Sequence, residues 1–351
     1  MNNLDWLKKL DYNEYSLQKT PTNILLDLSL NDYEGTMSIF LPVLKDCVSS
    51  VGTYSFAQDR GLIDRIRKKL YSVSNDQILI SAGADGALQR LLKAILSSES
   101  SKVCIPVPSF PRYEFHVKTN NRSIHFVESK EFPYKVDIDN LIKEAKVNNC
   151  DTLLISNPNN PTGMYYSLSD ITKIIKNFKG YVIVDESLLF NGLKSVAHLT
   201  KDYERLFVVR TFSKLYGIAG ERIGYIVGNS KSIKLIKRLF SPFEVSSVSL
   251  ELAKKILDDE DTIETRIMEL KNSIKFVLKN IPDGFQISPT SSSVFVIKSN
   301  KVDDLYSKLL ERGVKTVSCK DFRGIETSNV VRVSVKDLKS MQKLFSILDT
   351  L

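Results

Sequence analysis

Short apolar runs of strand length alternate with helical segments between residues 77 and 228. The runs predicted as strands are residues 77–81, 103–107, 123–127, 153–156, 181–184 and 206–209. Strands joined through helices form a mostly parallel sheet that is covered on both faces. The predicted fold class is therefore α/β, with a large domain whose mostly parallel sheet lies between helices.

A smaller α+β domain is predicted at the C-terminal end of the chain. A long helical stretch, 231–280, leads to predicted strands at 293–298 and 329–335 and helices at 302–312 and 336–351. The predicted divisions are an N-terminal arm at 1–30 that contributes to the small domain, a large cofactor-binding domain at 31–240, and a small domain at 241–351. Within the arm, Trp6, Leu7 and Leu10 have helical spacing, and residues 31–54 are predicted to be rich in loops.

Composition excludes several classes of protein. The 351 residues carry a net charge of +8, but the lysines are scattered among acids and form no arginine-rich tail, which argues against nucleic acid as a partner. Four widely spaced cysteines and three scattered histidines predict neither a disulfide framework nor a metal site. No apolar run is long enough to span a membrane or to form a signal peptide, so we predict a cytoplasmic protein.

The stretch TFSKLYGIAGERIGY, residues 211–225, contains one lysine among small and hydroxyl residues. A lysine amine becomes nucleophilic where an enclosed site lowers its pKa, and with a carbonyl partner it forms a Schiff base. Lys214 is therefore predicted to bind the aldehyde of pyridoxal phosphate, and Thr211, Ser213 and Arg222 could bind the adjacent phosphate. Taken alone, Lys214 could equally be an ordinary surface lysine.

Three further stretches place polar groups at the ends of predicted strands. GADG, residues 83–86, begins a helix, where free N–H groups and the helix dipole favour a phosphate. NPNNPTG, residues 157–163, predicts a tight turn whose asparagine can donate to a phenolate oxygen. Asp185 follows strand 181–184, and a buried aspartate can keep a pyridinium nitrogen protonated.

The order of GADG, NPNNPTG, VIVDE and SK, with Arg222 eight positions after Lys214, resembles the class I/II aminotransferases. These are pyridoxal-phosphate enzymes of fold type I, and the resemblance covers nearly the whole chain. Within the superfamily, the sequence is most similar to the subgroup of histidinol-phosphate aminotransferase and threonine-phosphate decarboxylase. The compact length, the NPNNPTG spelling and SCKDFRG before VVRVSV carry that similarity.

The resemblance implies how the cofactor would be bound. Lys214 would hold it through the Schiff base and then move protons at the substrate α-carbon and at cofactor C4′, while Asp185 would pair with the pyridine nitrogen. The other implied cofactor contacts are Asn160 to the ring O3′, Phe110 stacked on the ring face, and Ala84, Asp85, Thr211, Ser213 and Arg222 around the phosphate.

Partners and substrate are implied in the same way. Tyr54 would reach the phosphate of the neighbouring subunit, so the resemblance implies a homodimer with shared active sites. Arg332 would bind the carboxylate or an equivalent anion of the substrate. Arg323 would bind a second anion, commonly a substrate phosphate.

Two positions depart from the family pattern. Three residues after Asp185, a tyrosine that bonds O3′ is expected, but the residue is Leu188. Losing that donor should raise the pKa of the Schiff base, because the phenolate then has one partner fewer. Where the small domain usually reads Ala-Asn-Phe, this chain has Ser293, Val294 and Phe295, which leaves the asparagine contact without a counterpart.

The predicted reaction is transamination between an amino acid and a small, anionic or phosphorylated, oxo substrate. Decarboxylation of a phosphorylated amino acid, such as threonine or serine phosphate, is the alternative, which CKDFRG and Arg323 favour. A catalytically idle cofactor-binding regulator is a third class. Two features argue against a regulator. The chain retains Lys214, Asp185 and Arg222, and its cofactor motifs already begin by Tyr54, which leaves no room for a DNA-binding domain ahead of them.

Overall fold

The structure, a computed structural model, describes residues 23–32, 37–47, 51–129, 131–190 and 192–351. The helix predicted around Trp6, Leu7 and Leu10 lies outside these residues. The strands are β1 Leu26–Asp27, β2 Ile78–Ser81, β3 Lys102–Val107, β4 Ser123–Glu128, β5 Thr152–Ser156, β6 Tyr181–Asp185, β7 Leu206–Thr211, β8 Gly224–Gly228, β9 Phe285–Ile287, β10 Val294–Ser299, β11 Val314–Lys315, β12 Val317–Ser318 and β13 Val330–Ser334.

The α-helices fill most of the connections between these strands. They are α1 Met37–Cys47, α2 Arg60–Lys69, α3 Gly83–Ile95, α4 Arg112–Thr119, α5 Ile138–Val147, α6 Leu168–Asn177, α7 Ser230–Ile236, α8 Ser247–Asp258, α9 Glu260–Lys279, α10 Leu305–Glu311 and α11 Leu338–Leu348. Most begin at a Ser, Asp or Asn whose side chain accepts a hydrogen bond from a first-turn N–H, as at Asp137 for α5 and Ser167 for α6.

A seven-stranded sheet forms the centre of the large domain, in the order β2-β8-β7-β6-β5-β3-β4. The pairs among β3, β4, β5, β6 and β7 are parallel, whereas β8 runs antiparallel to both β2 and β7. Four consecutive parallel pairs confirm the predicted α/β class with a mostly parallel sheet.

Buried side chains fill both faces of this sheet. One core contains residues of α2, α5, α6 and α8, and the other contains residues of α3, α4 and α7. Alternate residues of the same strand enter different cores: Leu153 and Ile155 of β5 belong to the first, and Leu154 belongs to the second. A strand buried on both faces must be apolar throughout, which is why the strands were visible as continuous apolar runs.

The C-terminal part contains a four-stranded antiparallel sheet in the order β12-β13-β10-β9. Its core includes Phe295, Val331 and Phe345, and α9 packs against α11. The smaller α+β unit predicted there is confirmed. The segment that begins at residue 23 joins this unit, because β1 pairs in parallel with β11 and Leu28 lies in the same core.

The divisions at residues 30 and 240 remain predictions. The packing of α8 and α9 concerns the division at residue 240. Three residues of α8, Leu250, Ala253 and Ile256, lie in the first core of the large domain. The helix α9 follows directly and contributes Val277 to the core of the small unit. These contacts place α8 with the large sheet and the end of α9 with the small sheet.

Two predicted segments differ from the structure. Residues 31–54 were expected to be rich in loops, but α1 occupies 37–47 with Pro42 inside it. A proline inside a helix removes one backbone hydrogen bond and normally ends or kinks the helix. Pro42 is therefore a local signal against α1, and the helix was not predicted. The stretch 231–280 is not continuous: α7 ends at Ile236, and α8 starts after the non-helical segment that contains Pro242.

Within the described ranges, no helix combines the length and the apolar character that crossing a bilayer requires. The same residues contain no group of three or more His, Cys, Asp or Glu side chains arranged to hold a metal ion.

Candidate active site

The predicted site residues follow strands that end at one edge of the large sheet. Asp185 ends β6, Thr211 ends β7, and the turn at 157–163 follows β5. The antiparallel strand β8 starts at the same edge, because Thr211 pairs with Gly224. The carboxyl edge of an open parallel sheet is where such folds bind ligands, so the topology brings these motifs together.

Lys214 lies half-buried beyond the end of β7, and its Nζ donates to the Asn31 carbonyl oxygen at 3.2 Å. Burial lowers the pKa of Lys214 to about 8, and the positive charge of Arg332 contributes in the same direction, while Asp32 opposes it. A lysine with this pKa is largely cationic at pH 7 but has an accessible neutral form. The environment is therefore that of a reactive amine rather than of a solvated surface lysine.

Asp185 is 5% exposed and accepts two hydrogen bonds. The Tyr113 hydroxyl donates to Oδ2 at 2.6 Å, and the Ser187 N–H donates to Oδ1 at 2.9 Å. Burial raises the pKa of Asp185, and the hydrogen bonds from Ser187 and Tyr113 oppose that shift. These bonds orient a buried carboxylate that can face a cationic ring nitrogen.

The start of α3 and Arg222 lie against each other. Gly83 has a φ of +74°, and a Cβ built on it would be 3.0 Å from Nη2 of Arg222. Nearby, the Ser213 N–H donates to Thr211 Oγ1 at 3.1 Å, and the two hydroxyl oxygens are 3.0 Å apart. First-turn N–H groups, hydroxyls and a guanidinium are the donor set that a phosphate prefers.

The Asp85 side chain turns away from this donor set towards α4. Arg112 donates to it through Nε at 3.2 Å and Nη2 at 3.0 Å, and His116 Nε2 lies 2.8 Å from its Oδ1. Burial would raise the pKa of Asp85, but His116 and Arg112 lower it well below the ordinary value. Asp85 can thus contribute its backbone to an anion site while Arg112 offsets its own charge.

Gly224 provides a test of this close packing. A Cβ at Gly224 would lie 2.6 Å from the carbonyl carbon of Gly83 and 2.7 Å from the N atom of Ala84. Because both are backbone atoms, we expect Gly224→Ala to destabilise the fold by about 1–3 kcal/mol, the usual range for overpacking. Urea unfolding measures this change. Gly220→Ala is the matched control, since nothing lies within 4 Å of its Cβ, and an equal loss in both variants would contradict the prediction.

Arg332 is buried in β13 and reaches the same region from the small unit. Its Nη2 donates to the Ser29 carbonyl oxygen, and its Nη1 lies 3.4 Å from Asn160 Oδ1. Asn160 is the asparagine of the NPTG turn, so a residue of the large domain and one of the small unit meet here. The two side chains predicted for cofactor and substrate are therefore neighbours.

The other predicted residues occupy separate positions. Phe110 is half-buried and packs edge-on against Tyr113, with ring centroids 5.7 Å apart. Arg323 lies 3.5 Å from Glu114 Oε1, over the ring of Phe126, and does not line the cavity beside Lys214. Tyr54 is 85% exposed and packs only partly, against Phe243.

A cavity of about 470 Å³ adjoins Lys214. Its wall includes Leu188, which stands where the family pattern has a tyrosine. It also includes Ser293, the first residue of the segment that replaces Ala-Asn-Phe. Leu188 is 7% exposed, and its carbonyl oxygen accepts from Ser292. Val294 is buried in β10 opposite Ser334, and its apolar side chain has no amide to offer to the cavity.

Sequence reasoning missed several residues of the site. Asn31 and Asp32 cover Lys214, and Asp32 accepts a hydrogen bond from Lys336 Nζ at 2.8 Å through its carbonyl oxygen. Tyr113 was also missed, although it follows Phe110 by three positions. No local signal identifies these residues, because their partners lie 72 to 304 positions away in the sequence.

The fold and the site together define an α/β protein in which a lysine of lowered pKa, a buried carboxylate and the start of a helix lie at one sheet edge. The family model for aminotransferase class I and II matches residues 23–348. The chain belongs to this family.

Individual relatives agree with this membership. The histidinol-phosphate aminotransferase of Thermoanaerobacter sp. (strain X514) is 30% identical over 259 residues, which covers 73% of each chain. Among solved structures, the histidinol-phosphate aminotransferase of Sinorhizobium meliloti in complex with pyridoxal-5′-phosphate has a TM-score of 0.82 at 19% identity, covering 93% of this chain and 90% of that one. The L-threonine-O-3-phosphate decarboxylase of Porphyromonas gingivalis has a TM-score of 0.76 at 24% identity, covering 93% and 99%. At these identities, the two structures show that the fold is shared.

Proposed function

We propose that the protein is a pyridoxal-phosphate-dependent aminotransferase, similar to histidinol-phosphate aminotransferase. Lys214 carries this proposal: it is an enclosed amine whose pKa is lowered to about 8, at the sheet edge where Asp185 and the start of α3 also lie. The donor set fits the cofactor, because an amine, a buried carboxylate and phosphate donors match an aldehyde, a pyridine nitrogen and a phosphate. When bound, the cofactor serves as an electron sink that makes the substrate α-carbon acidic.

Individual side chains would then bind the cofactor and transfer protons. Lys214 Nζ would bind the aldehyde and, once released by substrate, carry the proton that leaves the α-carbon. Asp185 would hold the proton of the pyridine nitrogen. The phosphate would be bound by Ala84, Asp85, Thr211, Ser213 and Arg222, and Asn160 would donate to the ring oxygen O3′.

The pKa of Lys214 predicts how cofactor binding depends on pH. The neutral amine attacks an aldehyde, and burial with the charge of Arg332 favours that neutral form. We therefore expect the rate at which the apoprotein combines with pyridoxal phosphate to rise with pH and level off above about pH 8. Rapid-mixing absorbance measures the rate, with N-acetyl-lysine as the reference amine, whose rate should rise to about pH 10. Parallel profiles for the protein and the reference would contradict the prediction.

For the substrate, we propose an amino acid donor and a small oxo acceptor that is anionic or phosphorylated. The buried fork of Arg332 beside Asn160 supports binding of a carboxylate. Arg323 is proposed for a second anion, and such an anion would compete with Glu114 for the guanidinium. The names of the relatives suggest a phosphorylated acceptor.

We also propose a homodimer in which Tyr54 reaches the partner's cofactor phosphate. The rings of Tyr54 and Phe56 each pack against Phe243, and the exposures of the three side chains are 85%, 66% and 48% in that order. Exposed apolar groups of this kind mark interfaces. Light scattering after size exclusion should give twice the mass of 39.7 kDa, and a monomer at micromolar concentration would contradict the proposal. All four cysteines are buried as thiols, which supports a reducing, cytoplasmic location.

One spectrum tests the function. The protein is incubated with pyridoxal phosphate, the near-visible absorption is recorded, and glutamate is added. Conversion of the cofactor to pyridoxamine phosphate would identify an aminotransferase that uses glutamate. An unchanged band together with carbon dioxide release from threonine phosphate would identify a decarboxylase instead, and the absence of any band would refute the cofactor assignment.

A further inference from the structure

We propose that Tyr113 is a positioning residue whose hydroxyl holds the Asp185 carboxylate oriented and ionised towards the pyridine nitrogen of the cofactor. This inference rests on the proposed function, because it concerns the group that Asp185 would face. It assigns a role to a residue that none of the sequence motifs contains.

The geometry leaves the Tyr113 hydroxyl little freedom. Tyr113 is 1% exposed and lies in the first turn of α4, and its oxygen is 2.6 Å from Asp185 Oδ2 at the end of β6. Its ring belongs to the second core of the large domain and packs edge-on against Phe110. The hydroxyl therefore points at Asp185 because packing on every side fixes the ring.

Charge explains why this bond matters. The carboxylate of Asp185 is buried, and the charges of Asp85 on α3 and of Glu186, the residue that follows β6, lie near it. Burial and like charge both favour the neutral acid, whereas a donated hydrogen bond favours the ionised form. Burial and the charge of Asp185 raise the pKa of Tyr113 well above its ordinary value, so its hydroxyl remains a donor throughout the working pH range.

The same helix also controls the second carboxylate. Arg112 and His116, one position before and three positions after Tyr113, bind Asp85. They offset a negative charge that would otherwise raise the pKa of Asp185 further. The helix α4 thus acts on both carboxylates, and Tyr113 is its direct contact with the one that would meet the cofactor.

The test compares two ligands that differ in one atom. Pyridoxal phosphate has a nitrogen at ring position 1, and its 1-deaza analogue has a carbon there, so only the first can form a hydrogen bond with Asp185 through that position. We expect Tyr113→Phe to weaken binding of pyridoxal phosphate to the apoprotein about tenfold, the effect typical of one bond to a charged group. Binding of the deaza analogue should not change. Equilibrium dialysis measures both dissociation constants without reference to activity.

A matched control is available in Tyr166, another buried tyrosine, whose hydroxyl donates to the Val136 carbonyl oxygen at 2.9 Å. The quantity compared is the Kd of the deaza analogue divided by the Kd of pyridoxal phosphate, which falls when the bond to the ring nitrogen is lost. Tyr166→Phe should leave this ratio unchanged. Equal weakening of both ligands by Tyr113→Phe would assign Tyr113 a purely structural role and overturn the proposal, as would no weakening of either.

Two further measurements keep the outcome decisive. In an Asp185→Asn background, Tyr113→Phe should not change the ratio again, and a second tenfold change would contradict the proposal. Should Tyr113→Phe not fold, Tyr113→His, which keeps a ring with one donor, must retain a ratio above that of Asp185→Asn, and an equal ratio overturns the proposal. A wild-type chain that binds neither ligand would instead refute the proposed function.

Discussion

Lys214→Ala is expected to abolish transamination, with kcat falling at least about 100- to 10,000-fold, the contribution typical of a positioned acid or base. In the proposed mechanism, the variant would lose both the amine that binds the cofactor aldehyde and the group that carries the α-proton. Single-turnover conversion of bound cofactor by glutamate is the measurement, because it isolates the chemical step. Free cofactor is kept in excess so that weaker binding does not limit the rate.

Lys231→Ala provides the matched control, since Lys231 is an exposed lysine that pairs with Glu204 at 2.9 Å on the surface. Its turnover should equal that of the wild type. Lys214→Arg separates charge from nucleophilicity: it keeps a cation but should be as inactive as the alanine variant. Undiminished activity in Lys214→Ala would refute the assignment of the active site.

Arg332→Lys is expected to lower kcat/KM for every amino acid donor by about 10- to 100-fold. A bond to a charged group contributes about 1.5–3 kcal/mol, and lysine replaces the two-pronged guanidinium with a single point charge. The loss should appear mainly in KM, because a carboxylate contact made equally in the ground state and the transition state changes binding alone. Steady-state kinetics with several donors measures it.

Arg205→Lys, the same substitution at an exposed arginine, serves as the control and should have no effect. Because Arg332 also donates to the Ser29 carbonyl oxygen, thermal unfolding is recorded for both variants to separate lost binding from lost stability. An unchanged KM in a stable Arg332→Lys variant would show that the carboxylate binds elsewhere.

The fold could be predicted largely from local patterns. The apolar runs at 103–107, 153–156 and 206–209 correspond to β3, β5 and β7 within one or two residues. These strands could be predicted because a strand that is covered on both faces is apolar along its whole length. Such a continuous apolar run is visible in the local sequence. It failed for α1, because Pro42 is a strong local signal against a helix that the structure nevertheless forms.

The orientation of β8 could not be obtained in the same way. An apolar run does not indicate whether the strand pairs parallel or antiparallel with its neighbours. The pattern at residues 224–228 therefore fits either orientation equally well. The structure places β8 antiparallel between β2 and β7, which brings Gly224 against Gly83 and Ala84. Part of the proposed phosphate site therefore depends on a strand pairing that no local pattern encodes.

By itself, the sequence determined which side chains could do chemistry: Lys214, Asp185, Asn160 and Arg222 stand in motifs whose residue types limit their use. Only the tertiary structure decided what surrounds them. Tyr113 lies 72 positions from Asp185, Asn31 lies 183 from Lys214, and Arg332 lies 172 from Asn160. The physical reason is that a motif is set by neighbouring residues, whereas burial, hydrogen-bond partners and pKa depend on atoms that the packing of distant elements brings within a few ångströms.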